Sequence, residues 1–154
     1  DAERNEQIQF VLMVGHHALF SQGPHKIPKL FNQRLQPILR SSNKIVAYFC
    51  GHNHALEHYI WDRQKHANDG DGRSYDVMHQ FLSGSGGREV HAMKDPPVES
   101  QLDDVKLGYL GKLYGFISVH VDEMRINVKY WDKLANEVYS YSVEYRKDKQ
   151  RRIA

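Results

Sequence analysis

The sequence predicts an α/β fold in which a parallel β-α-β unit is followed by an antiparallel meander of β-hairpins. Two short apolar runs, residues 8–14 and 45–50, have the length and β-branched character of buried strands, and they flank a segment with helical periodicity. Toward the C-terminus, apolar and polar residues alternate as they do in strands with one solvated face. At 154 residues, the chain has the length of one domain or part of one.

The first half of the chain carries the predicted parallel unit. Residues 17–28 follow the first strand as a loop, which is marked by a Gly-Pro pair at 23–24. Apolar residues then recur at helical spacing over 30–39, and the polar residues 41–43 end the helix. Pro37 is predicted to kink this helix or to mark its last turn. The order strand, helix, strand implies a crossover connection and therefore a parallel pair.

The second half of the chain is predicted to be rich in β-structure. Residues 56–61 and 76–82 are expected to form the strands of a hairpin around the turn-forming stretch 66–72. Residues 88–111 are polar and lack a sustained period, so they are predicted to form a long loop, either over the site or on the surface. Alternation from residue 114 to residue 145 predicts an antiparallel meander.

Composition and charge argue against two classes of partner. The 21 basic and 19 acidic residues nearly balance, and the basic cluster at 146–152 lacks accompanying aromatic or Gly-rich binding elements. We therefore expect a solvated tail there and no nucleic-acid partner. No apolar run approaches the about 20 residues needed to cross a bilayer, so no membrane segment is predicted in this chain. Cys50, the single cysteine, is predicted to be a buried thiol.

Histidines follow both of the predicted parallel strands. Gly-His-His stands at 15–17, and Gly-His-Asn-His stands at 51–54. Because the carboxyl ends of parallel strands meet at one sheet edge, where open α/β sheets bind ligands, these imidazoles are expected to lie close together. Imidazole binds zinc, iron and similar ions, whereas magnesium and calcium prefer oxygen. The sequence therefore predicts a metal site at this edge, with ordinary surface histidines as the alternative.

These motifs resemble the calcineurin-like metallophosphoesterases, and most closely the purple, or tartrate-resistant, acid phosphatases. The resemblance is carried by Val-Gly-His-His at 14–17, Ala-Tyr-Phe-Cys-Gly-His-Asn-His at 47–54 and Phe-Leu-Ser-Gly-Ser-Gly at 81–86, in this order. It implies half of a four-layer α/β/β/α sandwich. Residues 1–154 would then be the C-terminal part of a single catalytic domain, with the N-terminal half absent from this chain.

The resemblance also implies a binuclear site with two metal ions, iron with iron, zinc or manganese. In it, His16 and His52 bind one ion and His54 binds the other. Asn53 stands where the family commonly has Asp. His25 falls where the family places a histidine that contacts substrate and can protonate the leaving group, with an ordinary loop histidine as the alternative. His17 is expected either to line the substrate pocket or to be an orienting or exposed ring.

The remaining ligands of the family come from motifs of the types Gly-Asp-x-Gly, Gly-Asp-x-x-Tyr and Gly-Asn-His, and none of these occurs in the 154 residues. The chain is therefore expected to hold half a site. An N-terminal half of the same domain, or a second chain, would complete it, and the isolated segment is expected to be inactive.

The activity implied by the resemblance is hydrolysis of phosphate monoesters by a metal-dependent acid phosphatase. Three alternatives stay open: a non-catalytic scaffold or interaction protein derived from the fold, a phosphodiester or nucleotide hydrolase on the same framework, and a structural zinc module. The compartment implied by the resemblance is secretory, lysosomal or vesicular.

The other histidines are predicted to be packed or solvated, because none falls at the histidine edge. They are His58, His66, His79, His91 and His120. The Gly-rich stretch 83–87 lacks the Lys-Ser/Thr of a phosphate-binding loop and is predicted to be a tight bend beside the site.

Overall fold

A computed structural model describes residues 2–63, 77–93, 103–122 and 125–144, and this part of the chain contains one helix and eight strands. In chain order they are β1 (Val11–Val14), α1 (Lys29–Ser41), β2 (Ile45–Cys50), β3 (Leu56–Asp62), β4 (Val77–Ser83), β5 (Val105–Gly111), β6 (Gly115–Val121), β7 (Arg125–Asp132) and β8 (Glu137–Glu144). The predicted parallel unit is confirmed, because β1 pairs with β2 in parallel and α1 connects them.

The strands form two sheets. The first has the order β1-β2-β4-β3-β5, in which β2 also pairs in parallel with β4, and β3 runs antiparallel to both β4 and β5. The second is an antiparallel sheet with the order β6-β7-β8. A mixed sheet with a parallel unit, followed by an antiparallel meander, confirms the predicted α/β fold class.

The core lies on both faces of the five-stranded sheet. On one face, Leu39 of α1 packs in a cluster with Tyr48 and Trp61. On the other face, the three-stranded sheet contributes Val128 to a cluster that includes Phe49. All six side chains of β2 are buried, because both faces of this strand are covered. The resulting layers, helix, sheet and sheet, are those expected for half of a four-layer sandwich.

The loop between β1 and α1 is anchored on the sheet by two buried polar side chains. The Gln80 amide accepts hydrogen bonds from the Leu19 and Phe20 N–H groups at 2.6 and 3.1 Å and donates to the Phe20 carbonyl at 2.7 Å. The Glu57 carboxylate accepts from the Ser21 hydroxyl at 2.9 Å and from the backbone of the next residue at 3.0 Å. This pairing of buried polar groups fixes the loop that leads to His25.

The prediction of one long loop over 88–111 is wrong in part, because residues 105–111 form β5 at the edge of the five-stranded sheet. Gly108 interrupts the apolar pattern of this strand. A larger residue would not fit at this position, because a Cβ there would lie 2.8 Å from Nδ1 of His58. Asp104 was expected in a loop over the site or on the surface, but it is buried and accepts hydrogen bonds from Trp61 at 2.9 Å and from Arg40 at 2.7 Å.

Two other expectations differ from the structure only in detail. The first strand begins at Val11 rather than at residue 8, because the Ile8 N–H bonds to the Asn5 carbonyl at 3.0 Å in a turn. Pro37 opens the last turn of α1, which continues to Ser41. The antiparallel pairing of β3 with β4 agrees with the predicted hairpin, whose turn at 66–72 lies outside the described residues.

In the described ranges, no helix combines the length and the apolar character needed to cross a membrane.

Candidate metal centre

The ends of β1 and β2 are tied together directly before their histidines. The Gly15 N–H donates to the Phe49 carbonyl at 2.9 Å, and the Gly51 N–H donates to the His16 carbonyl at 3.1 Å. Gly15 has no room for a side chain, because a Cβ there would lie 2.4 Å from the Tyr48 hydroxyl. The two histidine motifs therefore leave the sheet at one point of its carboxyl edge.

His16 and His52 face each other at this edge. Nδ1 of His52 lies 3.0 Å from Nε2 of His16. Two nitrogens bound to one ion at about 2.1 Å each would have a similar separation. His52 has a φ of 66°, and this left-handed conformation costs a non-glycine residue about 1–3 kcal/mol. Burial, and then repulsion from the histidines at 17, 16, 25 and 54, lowers the pKa of His52, which favours the neutral form that binds metals.

His17 lies between this pair and α1. Its ring contacts His52 with a centroid separation of 4.4 Å and contacts Phe31 at 5.8 Å. Its carbonyl accepts a hydrogen bond from the Tyr48 hydroxyl at 2.6 Å. Burial, with a smaller effect from Cys50, raises the pKa of Tyr48 to about 12, which keeps this hydroxyl a donor. These contacts allow His17 to orient His52.

A second group of imidazoles adjoins the first. One ring nitrogen each from His25, His54 and His91 lies within 4.8 Å of the other two. The ring of His25 also lies 4.9 Å from that of His52, so it joins the two groups. Nδ1 of His54 lies 3.0 Å from the Glu89 carbonyl, which can only accept, so in the neutral ring the lone pair lies on Nε2. A histidine that donates one N–H to a carbonyl and presents its other nitrogen is typical of metal ligands.

The prediction for His91 is wrong. It was expected to be a packed or solvated loop histidine away from the edge, but its ring stacks on that of His54 with a centroid separation of 3.8 Å. The segment after β4 folds back to the histidine edge, where the His91 N–H donates to the His54 carbonyl at 3.0 Å. Burial, followed by repulsion from His54 and His25, lowers the pKa of His91.

Asn53 supports the site from beneath. Its side-chain oxygen accepts from the His25 N–H at 3.0 Å, and its side-chain nitrogen donates to the His25 carbonyl at 3.3 Å. A carboxylate would supply only the acceptor, so the amide in place of the family's Asp suits this pairing. Two glycines allow its close packing, since a Cβ at Gly23 would lie 2.2 Å from the Asn53 side chain and one at Gly84 would lie 1.9 Å from the Asn53 carbonyl.

The histidines predicted to lie away from the edge, His91 apart, do so where they are described. His58 and His79 are buried between the two sheets, as expected for packed residues, and His120 is exposed on β6. His66 lies outside the described residues. The Gly-rich stretch bends beside the site, where the Gly84 N–H donates to the Ala55 carbonyl at 3.0 Å.

The residues of this edge fit the histidine part of a metal centre. The pair at 16 and 52 has facing nitrogens, and His54 presents a free lone pair. The three-residue cluster of possible ligand atoms found among the described residues consists of histidines alone, without a carboxylate. Such a set suits zinc, iron and similar ions better than calcium or magnesium.

Comparison with solved structures shows which proteins share the fold of this chain. No family model matches the chain. A purple acid phosphatase from yellow lupin (Lupinus luteus) seeds has a similar fold, with a TM-score of 0.68 at 12% identity, covering 93% of this chain and 26% of that one. GAP50, the anchor in the inner membrane complex of Plasmodium, is similar with a TM-score of 0.65 at 20% identity, covering 92% of this chain and 38% of that one. The chain therefore shares the fold of a part of these two proteins, which agrees with the predicted half of an α/β metallophosphoesterase fold.

Comparison with curated sequences finds acid phosphatases that are similar to most of this chain. Purple acid phosphatase 3 of Arabidopsis thaliana is 28% identical over 146 residues, covering 94% of this chain and 35% of its own length. Tartrate-resistant acid phosphatase type 5 of Rattus norvegicus is 27% identical over 144 residues, covering 89% of this chain and 38% of its own length. The predicted resemblance to the purple and tartrate-resistant acid phosphatases is therefore confirmed. The chain spans about a third of the length of these curated relatives.

Proposed function

We propose that this chain supplies the histidine half of a binuclear metal centre in an acid phosphatase that hydrolyses phosphate monoesters. The observation that carries the proposal is the meeting of His16, His52 and His54 at the carboxyl edge of β1 and β2. The acid phosphatase relatives support a phosphatase-type function over most of the chain.

In this proposal, His16 and His52 hold one ion and His54 holds the other. Iron with iron, zinc or manganese would supply Lewis acidity toward water and charge neutralisation at the phosphoryl oxygens. His25, whose ring faces His52 at 4.9 Å and His54 at 5.8 Å, holds a proton at a ring nitrogen for the leaving oxygen. His17 orients His52, and the Asn53 amide fixes the backbone of His25.

The rest of the site is assigned to an N-terminal half of the same domain or to a second chain, with residues 1–154 as the C-terminal part. Two edges of the described sheets support this assignment. β1 is an edge strand of the five-stranded sheet, and its last residue, Val14, is 83% exposed. β6 is an edge strand of the second sheet and exposes Phe116, Val119 and Val121. Apolar edge strands of this kind are normally covered or paired. From the resemblance, we infer a secretory, lysosomal or vesicular compartment for the completed protein.

Hydrolysis of an aryl phosphate by the protein that carries this chain tests the proposal. We expect His52→Ala/His54→Ala to reduce kcat/KM by at least about a hundredfold, because ligands of both ions are lost. The matched control is His120→Ala, a change at an exposed histidine of β6, which should retain activity. Equal hydrolysis by the double variant and by wild type would contradict the proposal.

A second candidate is a non-catalytic interaction module on the same fold. It is favoured by the structural likeness to GAP50, which is described as an anchor, and by the exposed apolar side chains of β6. A protein that holds metal but hydrolyses no phosphate ester would support this candidate. Hydrolysis of diesters or nucleotides in preference to monoesters would instead support a phosphodiesterase on this framework.

A further inference from the structure

His91 belongs to the histidine cluster but has no role in the proposed function. Its ring lies close to those of His25 and His54, with centroid separations of 4.5 and 3.8 Å. We propose that His91 is a phosphate-binding residue, whose Nε2–H donates to a phosphoryl oxygen of the substrate while its Nδ1 holds the backbone of His54. This inference rests on the proposed function, since it takes a phosphate ester to be the ligand of this edge.

Three hydrogen bonds hold residues 89–91 against His54. The His91 N–H donates to the His54 carbonyl at 3.0 Å, and the His54 N–H donates to Nδ1 of His91, also at 3.0 Å. The third joins Nδ1 of His54 to the Glu89 carbonyl at 3.0 Å. The two histidines are 37 positions apart in the chain. Tertiary structure, rather than local sequence, therefore fixes the position of the His91 ring.

These bonds also fix which ring nitrogen carries hydrogen. A carbonyl only accepts, so Nδ1 of His54 carries the hydrogen and Nε2 presents a lone pair. A backbone N–H only donates, so Nδ1 of His91 is the acceptor, and the neutral ring carries its hydrogen on Nε2. The two stacked rings therefore differ in chemistry: His54 offers a lone pair suited to a cation, and His91 offers an N–H suited to an anion.

The stacking disfavours His91 as a second ligand of the ion on His54. The two ring planes are 21° apart, with centroids at 3.8 Å. Because an imidazole lone pair lies in the plane of its ring, the lone pairs of two stacked rings do not converge on one ion as metal coordination requires. Binding through Nδ1 would moreover break the hydrogen bond from the His54 backbone.

His91 lies close enough to His54 and His25 to contact a phosphate group bound beside them. One ring nitrogen of His91 is within 4.8 Å of one of His54 and of one of His25. Neighbouring ligands that are each about 2.1 Å from an ion lie about 3 Å apart, and an N–H···O bond spans about 2.9 Å. An oxygen bound beside His54 would therefore also lie close to the His91 ring, whose Nε2–H is the donor in this proposal. His91 and His25 would then contact the same phosphate group from adjacent sides.

Two substitutions separate the roles of His91. His91→Asn retains an acceptor near the Nδ1 position and removes the donor at Nε2, whereas His91→Gln retains a donor near Nε2. In the protein loaded with Zn²⁺, elemental analysis gives the zinc content and calorimetry gives the Kd of inorganic phosphate. Long-range ¹H–¹⁵N NMR of the imidazoles reports the hydrogen-bearing nitrogens without any metal.

We expect His91→Asn to retain zinc and to bind phosphate about tenfold to a hundredfold more weakly, the usual value of a hydrogen bond to a charged group. His91→Gln should recover part of that loss, and NMR should show hydrogen on Nε2 of His91. Loss of zinc in His91→Asn would make His91 a metal ligand and overturn the proposal. Unchanged phosphate affinity in His91→Asn, or hydrogen on Nδ1 of His91, would also overturn it. A wild-type protein that binds neither zinc nor phosphate would overturn the proposed function as well.

Discussion

Asn53 connects the two histidine motifs through a single buried amide. It sits between two proposed ligands, His52 and His54, and its side chain bonds to both the N–H and the carbonyl of His25. One residue thereby sets the distance between the strand ends and the loop. The packing around it leaves no free volume at Gly23 or Gly84.

Gly84→Ala should therefore destabilise the protein and loosen the histidine edge. A Cβ at position 84 would lie 1.9 Å from the carbonyl oxygen of Asn53, which is backbone and cannot rotate away. Overpacking of this kind costs about 1–3 kcal/mol of unfolding free energy. Gly87→Ala is the matched control, because no heavy atom lies within 4 Å of a Cβ there. Urea unfolding that gives equal midpoints for the two variants would contradict the packing described here.

Some residues of the site could be predicted from the sequence, and others could not. The sequence alone predicts that three histidines lie close together, because each follows a strand and the carboxyl ends of parallel strands meet at one sheet edge. They are His16, His52 and His54. His91 could not be predicted to join them, since residues 88–93 have no periodicity and their position depends on hydrogen bonds to His54. The contact of Glu89 with His54 and that of Asn53 with His25 could not be predicted for the same reason, because the partners are distant in sequence.

Among the elements, the strands with unbroken apolar patterns were predictable and β5 was not. β2 has six consecutive buried side chains and could be identified from its unbroken apolar run in the sequence. β5 carries Gly108, which accommodates the ring of His58 but breaks the pattern that marks a strand. Asp104, directly before β5, would be taken for a surface residue without its hydrogen bonds to Arg40 and Trp61.

The packing of the two sheets should depend on pH through a buried histidine pair. Nε2 of His58 lies 3.0 Å from Nδ1 of His79, and Nδ1 of His58 lies 2.8 Å from the Tyr139 hydroxyl of β8. Burial, followed by repulsion from His79, lowers the pKa of His58 to about 3, and burial lowers that of His79 to about 4. The ring of Phe81 stacks on His58, and the ring of Tyr141 contacts His79.

The unfolded chain, with an ordinary histidine pKa near 6.5, binds more protons than the folded chain below that pH. Stability should therefore fall as the pH drops from about 6.5 toward 4, by up to about 1.4 kcal/mol per pH unit for each histidine. Urea unfolding at a series of pH values measures this slope. His58→Gln/His79→Gln should flatten it and His120→Gln should not, whereas an unchanged slope in the double variant would assign the pH dependence to other groups.

In the molecule as a whole, the described residues pack into two sheets and a helix, with the histidine cluster at one sheet edge. The helix and the second sheet cover both faces of the five-stranded sheet, while among the described residues no further strand pairs with the outer edges of β1 and β6. The histidine edge supplies nitrogen ligands, and the bridging and oxygen ligands are assigned to the proposed complementary half. The chain spans about a third of the length of its curated relatives and nevertheless carries a cluster of imidazoles.

The most direct test of this account is the metal content of the purified protein by elemental mass spectrometry, measured for wild type, His52→Ala/His54→Ala and His120→Ala. The account predicts near-stoichiometric iron, zinc or manganese in wild type and in the His120 control, and its loss in the double variant. A wild-type protein without metal, or a double variant that retains the wild-type content, would contradict it.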